Sequence, residues 1–279
     1  MTMSLLEETV DLLEKQLSES LLQMRVEGLV VGVFFTGVKL TGRFVGMART
    51  PIEELPEAVC CPSSAARLSH AGKLRQEKVS DLMQWALDSN ALKAAVGVAT
   101  LNALSHCLWE KKGFPGCEVI QGQDAFDLLD FSKAKRVVLV GAFTPYIRRL
   151  TRMDLDLTVV EKNPQTLGDE AAKYFCPAEE APKILPQADV VILTGSTIVN
   201  HTIDGLLSFI KRSCQVAVVG PTASMVPCSF FVRGVNLVGG MRITDPDNAL
   251  RILAEGGSGY HIAGKYGQKI TSQQRKSKL

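Results

Sequence analysis

The 279-residue sequence lacks three features that would by themselves suggest a class of function: a strong net charge, a long apolar run and a disulfide framework. Its net charge of +2 provides no large basic surface, so we expect no nucleic-acid partner. The longest apolar runs that we identify, 29–35 interrupted by Gly32 and 136–141, are far shorter than the roughly 20 residues that a membrane span needs. We therefore also expect no membrane partner.

The cysteines and the N-terminus predict a cytoplasmic protein. There are seven cysteines, an odd number, and their spacing is not that of a disulfide framework. The first residues carry acidic side chains where a secretory signal would carry basic ones. Both features favour an intracellular protein with reduced thiols. The apolar fraction of 46% and the charged fraction of 22% are those of an ordinary globular protein, long enough for two domains.

Residues 1–112 have the pattern of an α+β domain. Ser4 and Glu7 form a capping-box pattern ahead of an amphipathic helix. Next come a predicted hairpin or meander, joined through Thr36-Gly37, and two helices, which cover residues 29–35, 39–47, 79–87 and 91–109. The sequence KKGFPG ends the last helix, so we place the domain boundary after Lys112.

Residues 113–279 alternate between apolar strands and helices. The predicted strands are 136–141, 156–160, 188–193, 215–219 and 236–238. The predicted helices are 145–151, 168–174, 203–211, 225–232 and 246–254. Alternation of this kind predicts a parallel sheet covered by helices on both faces, so the fold class is α/β with a Rossmann-like second domain. We expect its polar end, 271–279, to be a disordered tail.

The ends of the predicted strands are the first candidate site. In open parallel sheets, ligands bind outside the carboxyl ends of the strands. Free amides and hydroxyls before a helix favour an anion there, and the residues of this kind are Gly141, Thr144, Gly195, Ser196, Thr197, Gly220, Pro221 and Thr222. Each loop taken alone is more typical of a turn or an N-cap, whereas the set together predicts a ligand site.

Glu161 ends the second predicted strand, where an acid commonly accepts from ribose hydroxyls. The preceding loop has one glycine and carries Phe143 and Tyr146 where a pyrophosphate would approach, which disfavours a dinucleotide. An adenosine-type ligand, or something smaller, stays open. The alternative is a solvated carboxylate at a strand end.

The candidate metal ligands are Cys60, Cys61 and His201. Adjacent thiols are soft ligands for a transition or heavy metal ion, but a closed zinc site needs about four ligands, so others would come from a distance. The alternative is a loop of small buried residues. Asn200 caps a helix or orients a ligand beside His201, which we place at the start of the helix after the third strand. Asn102 is either satisfied internally or lines a pocket.

Six segments resemble a family of bacterial and archaeal proteins named for heavy-metal chelation: VVGVFFTGVKL (30–40), GVATLNALS (97–105), VVLVGAFTPYI (137–147), TVVEKNP (158–164), DVVILTGSTIVNHTID (189–204) and VVGPTASMVP (218–227). The resemblance implies a domain similar to the N-terminal domain of enolase followed by a Rossmann-like domain. It also implies a cleft between them. Enolase activity does not follow, because enolase chemistry sits on a barrel that is absent here.

The leading hypothesis is binding of a metal ion, or of a metal-bound or anionic small molecule, in the cleft between the two domains. The strand-end loops would supply amides and hydroxyls, and Asn102, Asn200 and His201 would orient the ligand. One alternative is an enzyme that uses an adenosine-type cofactor such as S-adenosylmethionine, with Glu161 on the ribose. Another is a non-catalytic partner-binding protein. We identify no catalytic residue, and a homo-oligomer stays open.

Overall fold

A computed structural model describes residues 3–54, 68 and 70–275. These residues form one three-stranded antiparallel sheet and one eight-stranded mixed sheet, with helices packed against both. The expectation of an α/β fold is confirmed. A single large core cluster includes side chains from both halves of the sequence, for example Leu13, Ala99 and Val218.

The first half begins with a capped helix and a three-stranded meander. Ser4 Oγ accepts a hydrogen bond from Glu7 N at 3.2 Å, and Ser4 N donates to Glu7 Oε2 at 2.6 Å, which confirms the capping box. The elements that follow it are α1 (Leu5–Gln23), β1 (Val26–Val31), β2 (Phe35–Leu40), β3 (Phe44–Arg49), α2 (Val79–Gln84) and α3 (Ala91–Lys112).

The position of the first turn differs from the prediction. β1 and β2 are joined by residues 32–34, and Thr36 and Gly37 lie inside β2, where they pair with β3. Glycine is needed at position 32 because a Cβ there would lie 2.4 Å from the carbonyl oxygen of Leu253. Thr36 is fully buried, and its Oγ1 lies 3.0 Å from Thr50 Oγ1. The turn at residues 32–34 therefore packs closely against the helix that contains Leu253, which is far away in the sequence.

The second half contains eight strands and seven short helices among the described residues. They are β4 (Cys117–Gln121), β5 (Arg136–Val140), α4 (Thr144–Leu150), β6 (Asp156–Glu161), β7 (Phe175–Pro177), α5 (Ala181–Ile184), β8 (Val190–Thr194), α6 (Ser196–Val199), α7 (Ile203–Ser208), β9 (Gln215–Val219), α8 (Cys228–Phe231), β10 (Leu237–Ile243), α9 (Pro246–Ala254), α10 (Gly259–Ile262) and β11 (Gly267–Gln274).

The large sheet has the strand order β4-β11-β10-β9-β8-β5-β6-β7. The strands from β10 to β7 are parallel, and β11 pairs antiparallel with both β10 and β4. The chain reverses its direction of strand addition between β5 and β8, so this is the switch point of the sheet, outside which ligands bind in open α/β sheets. The central strands are buried because helices cover them.

Two predictions in this half are wrong. The helix expected at 168–174 is a 3₁₀ turn at Ala172–Tyr174 followed by β7. The tail expected to be disordered from residue 271 contributes Thr271–Gln274 to β11, between β10 and β4. The sequence did not predict this strand because its side chains are polar. Backbone hydrogen bonds to the strands on both sides stabilise it, and Thr271 Oγ1 donates to Gln123 O at 2.9 Å. Residues 276–279 lie outside the described part of the chain.

Helix α3 is the core of the molecule. By length and composition it is the one helix of the described residues that passes for a membrane span, but 83% of its apolar window is buried inside the protein. It packs on β3 so closely that a Cβ on Gly46 would lie 2.0 Å from Ala99 O and 2.3 Å from Ala103 N. Glycine at position 46 thus sets the distance between strand and helix.

Gly46→Ala is expected to lower the free energy of unfolding by about 3 kcal/mol, because backbone atoms of α3 cannot move aside as a flexible side chain would. The matched control is Gly205→Ala in α7, where the added methyl meets nothing within 4 Å. That change should raise stability by about 0.5–1 kcal/mol. Urea unfolding followed by circular dichroism measures both, and equal effects would contradict this account of the packing.

Candidate functional site

The loops after β5, β8 and β9 lie against one another at the switch point of the sheet. A Cβ on Gly141, whose φ is 98°, would lie 2.6 Å from Thr194 Cγ2. A Cβ on Gly195 would lie 3.0 Å from Ala223 N. The two glycines therefore permit close loop packing, which is a sufficient structural reason for their presence. Gly220, with φ 115°, makes the turn after β9.

The hydroxyl groups of these loops bond mainly to their own neighbourhood. Thr197 Oγ1 donates to Thr194 O at 2.7 Å, and Ser196 Oγ lies 3.3 Å from Thr194 Oγ1. Thr222 Oγ1 accepts from Arg49 N at 3.0 Å, so it joins the loop after β9 to β3. Thr144 is exposed at the start of α4. Thr197 and Thr222 are buried, which leaves Thr144 and the half-buried Ser196 nearest to solvent.

Asn102 joins three elements and is 1% exposed. Its Nδ2 donates to Met47 O at 2.7 Å and to Thr222 O at 3.0 Å, and Pro221 O lies 3.4 Å away. α3, β3 and the loop after β9 are thereby held together. Its Oδ1 is buried and has no hydrogen-bond partner among the described residues.

Asn200 and His201 do not open a helix as predicted. They follow α6 and precede α7, because α6 starts directly after Gly195. Asn200 Oδ1 accepts from Thr202 Oγ1 at 2.7 Å, which stabilises the connection between the helices. His201 is exposed and has a φ of 57°, a conformation that is uncommon for a residue with a side chain.

Both oxygens of the Glu161 carboxylate bond to backbone amides. Oε2 accepts from Ala142 N at 2.9 Å, and Oε1 accepts from Lys162 N at 2.7 Å. The amide that follows Gly141, where an anion would bind, is thus taken by this side chain. A ribose would have to displace one of these hydrogen bonds to reach Glu161.

Cys60 and Cys61 lie outside the described residues. Within residues 3–54, 68 and 70–275, no three His, Cys, Asp or Glu side chains form a group that could hold a metal ion. Two thiols do meet: Cys117 Sγ and Cys228 Sγ lie 3.8 Å apart although 111 positions separate them in the sequence. Sequence reasoning missed this pair because neither cysteine has a neighbouring ligand residue at a metal-site spacing.

The thiol pair, Cys117 and Cys228, lies where β4 and α8 begin. Cys117 is buried, and its Sγ donates to Pro115 O at 3.2 Å; Cys228 is half-buried. The contact between the two sulfurs lowers the pKa of the Cys228 thiol and raises the pKa of the Cys117 thiol. Cys228 is therefore the thiol of the pair that loses its proton more readily.

Cys228 borders an open groove of about 300 Å³ between α1 and α8. Glu8, Asp11 and Lys15 are the charged residues that line it. Arg233 holds its walls together, since Nη1 donates to Glu8 Oε2 at 2.5 Å and Nε donates to Asp204 Oδ1 at 2.7 Å. The groove gives one thiol of the pair access to solvent.

A second polar cluster lies on the C-terminal half of α3. His106 Nε2 lies 3.1 Å from Arg242 Nε and 3.0 Å from Glu110 Oε1, and Arg242 Nη2 also donates to Glu110. The guanidinium of Arg242 lies over the Trp109 ring, 5.5 Å from its centroid. Desolvation, with a smaller contribution from the charge of Arg242, lowers the pKa of His106 below its usual value, against the opposing effect of Glu110.

The lowered pKa of His106 predicts a loss of stability on acidification. The unfolded chain binds the proton at a higher pH than the folded one, so the contribution is complete above about pH 6.5 and is lost as the pH falls towards the folded pKa. The free energy of unfolding should fall by at most about 1.4 kcal/mol per pH unit from this group. His106→Gln should flatten the curve of unfolding free energy against pH between pH 7 and 5, and a curve as steep as that of the natural protein would contradict this assignment.

Comparison with known proteins identifies the family that the sequence resembles. Residues 124–272, more than half of the chain, match the model of the DUF364 family, described as "Putative heavy-metal chelation", and residues 14–105 match DUF4213, which has the same description. An uncharacterized protein of Methanocaldococcus jannaschii is 27% identical over 183 residues, which are 63% of this chain and 65% of that protein. The match thus spans less than two thirds of the relative's length.

Two solved structures of DUF364 proteins of unknown function share the fold at 22% sequence identity. The one from Pyrococcus horikoshii has a TM-score of 0.77 and covers 96% of this chain and 98% of its own. The one from Desulfitobacterium hafniense has a TM-score of 0.72 and covers 95% and 98%. Since the family model matches more than half of the chain, the chain belongs to the DUF364 family.

Proposed function

We propose that this protein binds a soft heavy-metal ion through the thiol pair. The observation that carries the proposal is the 3.8 Å separation of Cys117 Sγ and Cys228 Sγ. Thiolates are the side chains that soft metal ions prefer. The family description, heavy-metal chelation, names the same class of ligand.

The distance between the sulfurs suits a tetrahedral ion. Two sulfurs bonded to a tetrahedral zinc ion at about 2.3 Å each lie about 3.8 Å apart; the thiol pair has this separation, and a larger ion would need a slightly wider one. A disulfide would need the sulfurs at about 2.05 Å, and a linear ion would need about 4.6 Å. Little movement of the backbone would therefore be required for two bonds to a tetrahedral ion.

The pKa of Cys228 and the open groove favour the same proposal. Metal binding displaces the thiol protons, and the lowered pKa of the Cys228 thiol reduces the cost of removing the first. The open groove beside Cys228 gives an ion a route to that residue, although its carboxylates, Glu8 and Asp11, are already paired with Arg233 and Lys15. Two protein ligands leave coordination positions for water or a small chelating molecule, so the cargo is a metal ion that other molecules can deliver and remove.

Cadmium titration of the reduced protein tests the proposal, with the thiolate-to-cadmium absorption in the ultraviolet and equilibrium dialysis as readouts. We expect one tight ion per chain. Cys117→Ser and Cys228→Ser should each weaken binding by at least about 100-fold, because removing a ligand costs more than the 10–100-fold loss for an outer-shell partner. Circular dichroism checks that both variants fold.

Two control variants separate the thiol pair from the other cysteines. Cys176→Ser removes a half-buried thiol whose sulfur contacts Pro177 O and no other thiol of the described residues, and it should leave cadmium affinity unchanged. The double variant of Cys60 and Cys61 to serine should also bind normally. If that double variant loses the ion while Cys117→Ser and Cys228→Ser retain it, the thiol pair is not the metal site.

We propose as a second candidate that a small anionic or adenosine-type ligand binds in the cleft at the switch point. The position of Gly141 beside Thr194 and the half-buried Ser196, at the gap between β5 and β8, supports it. Glu161 would turn from Ala142 N to a ribose hydroxyl, and Asn200 and His201 would orient the anionic part. This function does not depend on the thiol pair.

Equilibrium dialysis with S-adenosylmethionine and with inorganic phosphate tests this second candidate. For a ribose-bearing ligand, Glu161→Ala should weaken binding by about 10-fold or more, since a hydrogen bond to a charged group contributes about 1.5–3 kcal/mol. Phosphate binding should weaken in the double variant of Asn200 and His201 to alanine. The exposed Glu179→Ala is the control. Unchanged affinity in both test variants, or no binding by the natural protein, would rule the candidate out.

A further inference from the structure

A small polar cavity lies between α3 and the strand β10. The volume open to the centre of a water molecule is about 10 Å³, which is close to the minimum for one water. The lining includes Asn102, His106, Ser224 and Arg242 among apolar side chains. Asn102 Oδ1 and His106 Nδ1 are buried and have no hydrogen-bond partner among the described residues. Both side chains project from the same face of α3, four positions apart.

The amide of Asn102 has a fixed orientation. Its Nδ2 is the atom that faces the carbonyl oxygens of Met47 and Thr222, at 2.7 and 3.0 Å. A flipped amide would place oxygen against oxygen, so Oδ1 is the atom left without a protein partner. Asn102 therefore offers the cavity a buried hydrogen-bond acceptor.

The hydrogen bond from Arg242 favours one tautomer of His106. Arg242 Nε carries a hydrogen at every accessible pH and donates to His106 Nε2 at 3.1 Å, so Nε2 must offer its lone pair. Glu110 Oε1 also lies near Nε2, but it accepts its hydrogen bond from Arg242 Nη2. The proton of the neutral ring is then on Nδ1. His106 Nδ1 therefore offers the cavity a buried hydrogen-bond donor, whereas Asn102 Oδ1 offers it an acceptor.

Ser224 supplies a third group. Its Oγ donates to Pro221 O at 2.7 Å and accepts from Met241 N at 2.9 Å, which leaves one lone pair of the hydroxyl. The cavity thus has one donor and two acceptors. A molecule that fills it must be the size of water, must accept one hydrogen bond and must donate two.

We infer that this cavity binds a single water molecule, which accepts from His106 Nδ1 and donates to Asn102 Oδ1 and Ser224 Oγ. Three hydrogen bonds are the usual number for a buried water. Arg242 closes the site towards solvent, since its guanidinium lies over Trp109 and is bonded to Glu110 and His106. The water links α3 to β10 and to the loop after β9, and it exchanges only when Arg242 moves.

Nitrogen-15 NMR of the imidazole rings tests the tautomer on which the inference depends. At pH 7.5, His106 should show a protonated Nδ1 and an unprotonated Nε2. His261 is the internal control with the opposite pattern, because its Nδ1 accepts from Ser258 N at 3.0 Å. The variants His106→Gln and His261→Gln assign the signals. A protonated Nε2 on His106 would overturn the inference, because the ring would then offer no donor to the water.

Oxygen-17 relaxation dispersion tests the water itself in the full-length protein. We expect one long-lived internal water that disappears in His106→Phe, whose ring keeps the contacts with Phe44 and Trp109 but offers no donor. His261→Phe should retain the signal. Arg242→Ala should shorten the residence time by about 10-fold or more without abolishing the site. An identical signal in the natural protein and His106→Phe, or a crystal structure with a dry cavity, would overturn the inference.

Discussion

The close contact of α3 with β3 and with the loop after β9 is the constraint on which the other features depend. Gly46 lets the strand approach the helix backbone, and Asn102 then bonds to Met47 O and Thr222 O across the contact. Leaving the buried amide of Asn102 without these hydrogen bonds would cost about 1–3 kcal/mol. The two hydrogen bonds therefore favour the one arrangement of helix, strand and loop in which both can form. The position of α3 therefore determines the positions both of β3, the last strand of the meander, and of the loop after β9.

The thiol pair also depends on where α3 ends. Gly113, with φ 70°, stops the helix, and Phe114 stacks on Trp109 with ring centroids 6.4 Å apart. The turn that follows directs Pro115 O towards the thiol of Cys117 as β4 begins. Cys228 comes from the start of α8, which Arg233 ties to α1. The two sulfurs lie close together because these contacts position the start of β4 and the start of α8 next to each other.

The two candidate sites, the loops at the switch point and the thiol pair, differ in how many of their polar groups are hydrogen-bonded within the protein. At the switch point, the hydroxyls of Thr197 and Thr222 and the carboxylate of Glu161 bond to nearby backbone. Within the part of the chain that the structure describes, Pro115 O is the one hydrogen-bond partner of the thiol pair outside the pair itself. Sulfur is a soft metal ligand, whereas the oxygen groups at the switch point are hard ones. In our proposal, this contrast is why a heavy-metal ion binds at the thiols.

The sequence by itself determined the α/β class, the capping box at Ser4, the parallel strands β5, β6, β8, β9 and β10, and the family, because apolar periodicity and glycine positions are local signals. It missed β11, whose polar residues are held by pairing on both sides, and the end of α6, where His201 adopts an uncommon φ. Only the tertiary structure decided that Cys117 meets Cys228 and that Asn102 faces Met47 and Thr222. These contacts join residues far apart in the chain, and no local pattern encodes a distance that the packing of whole elements sets.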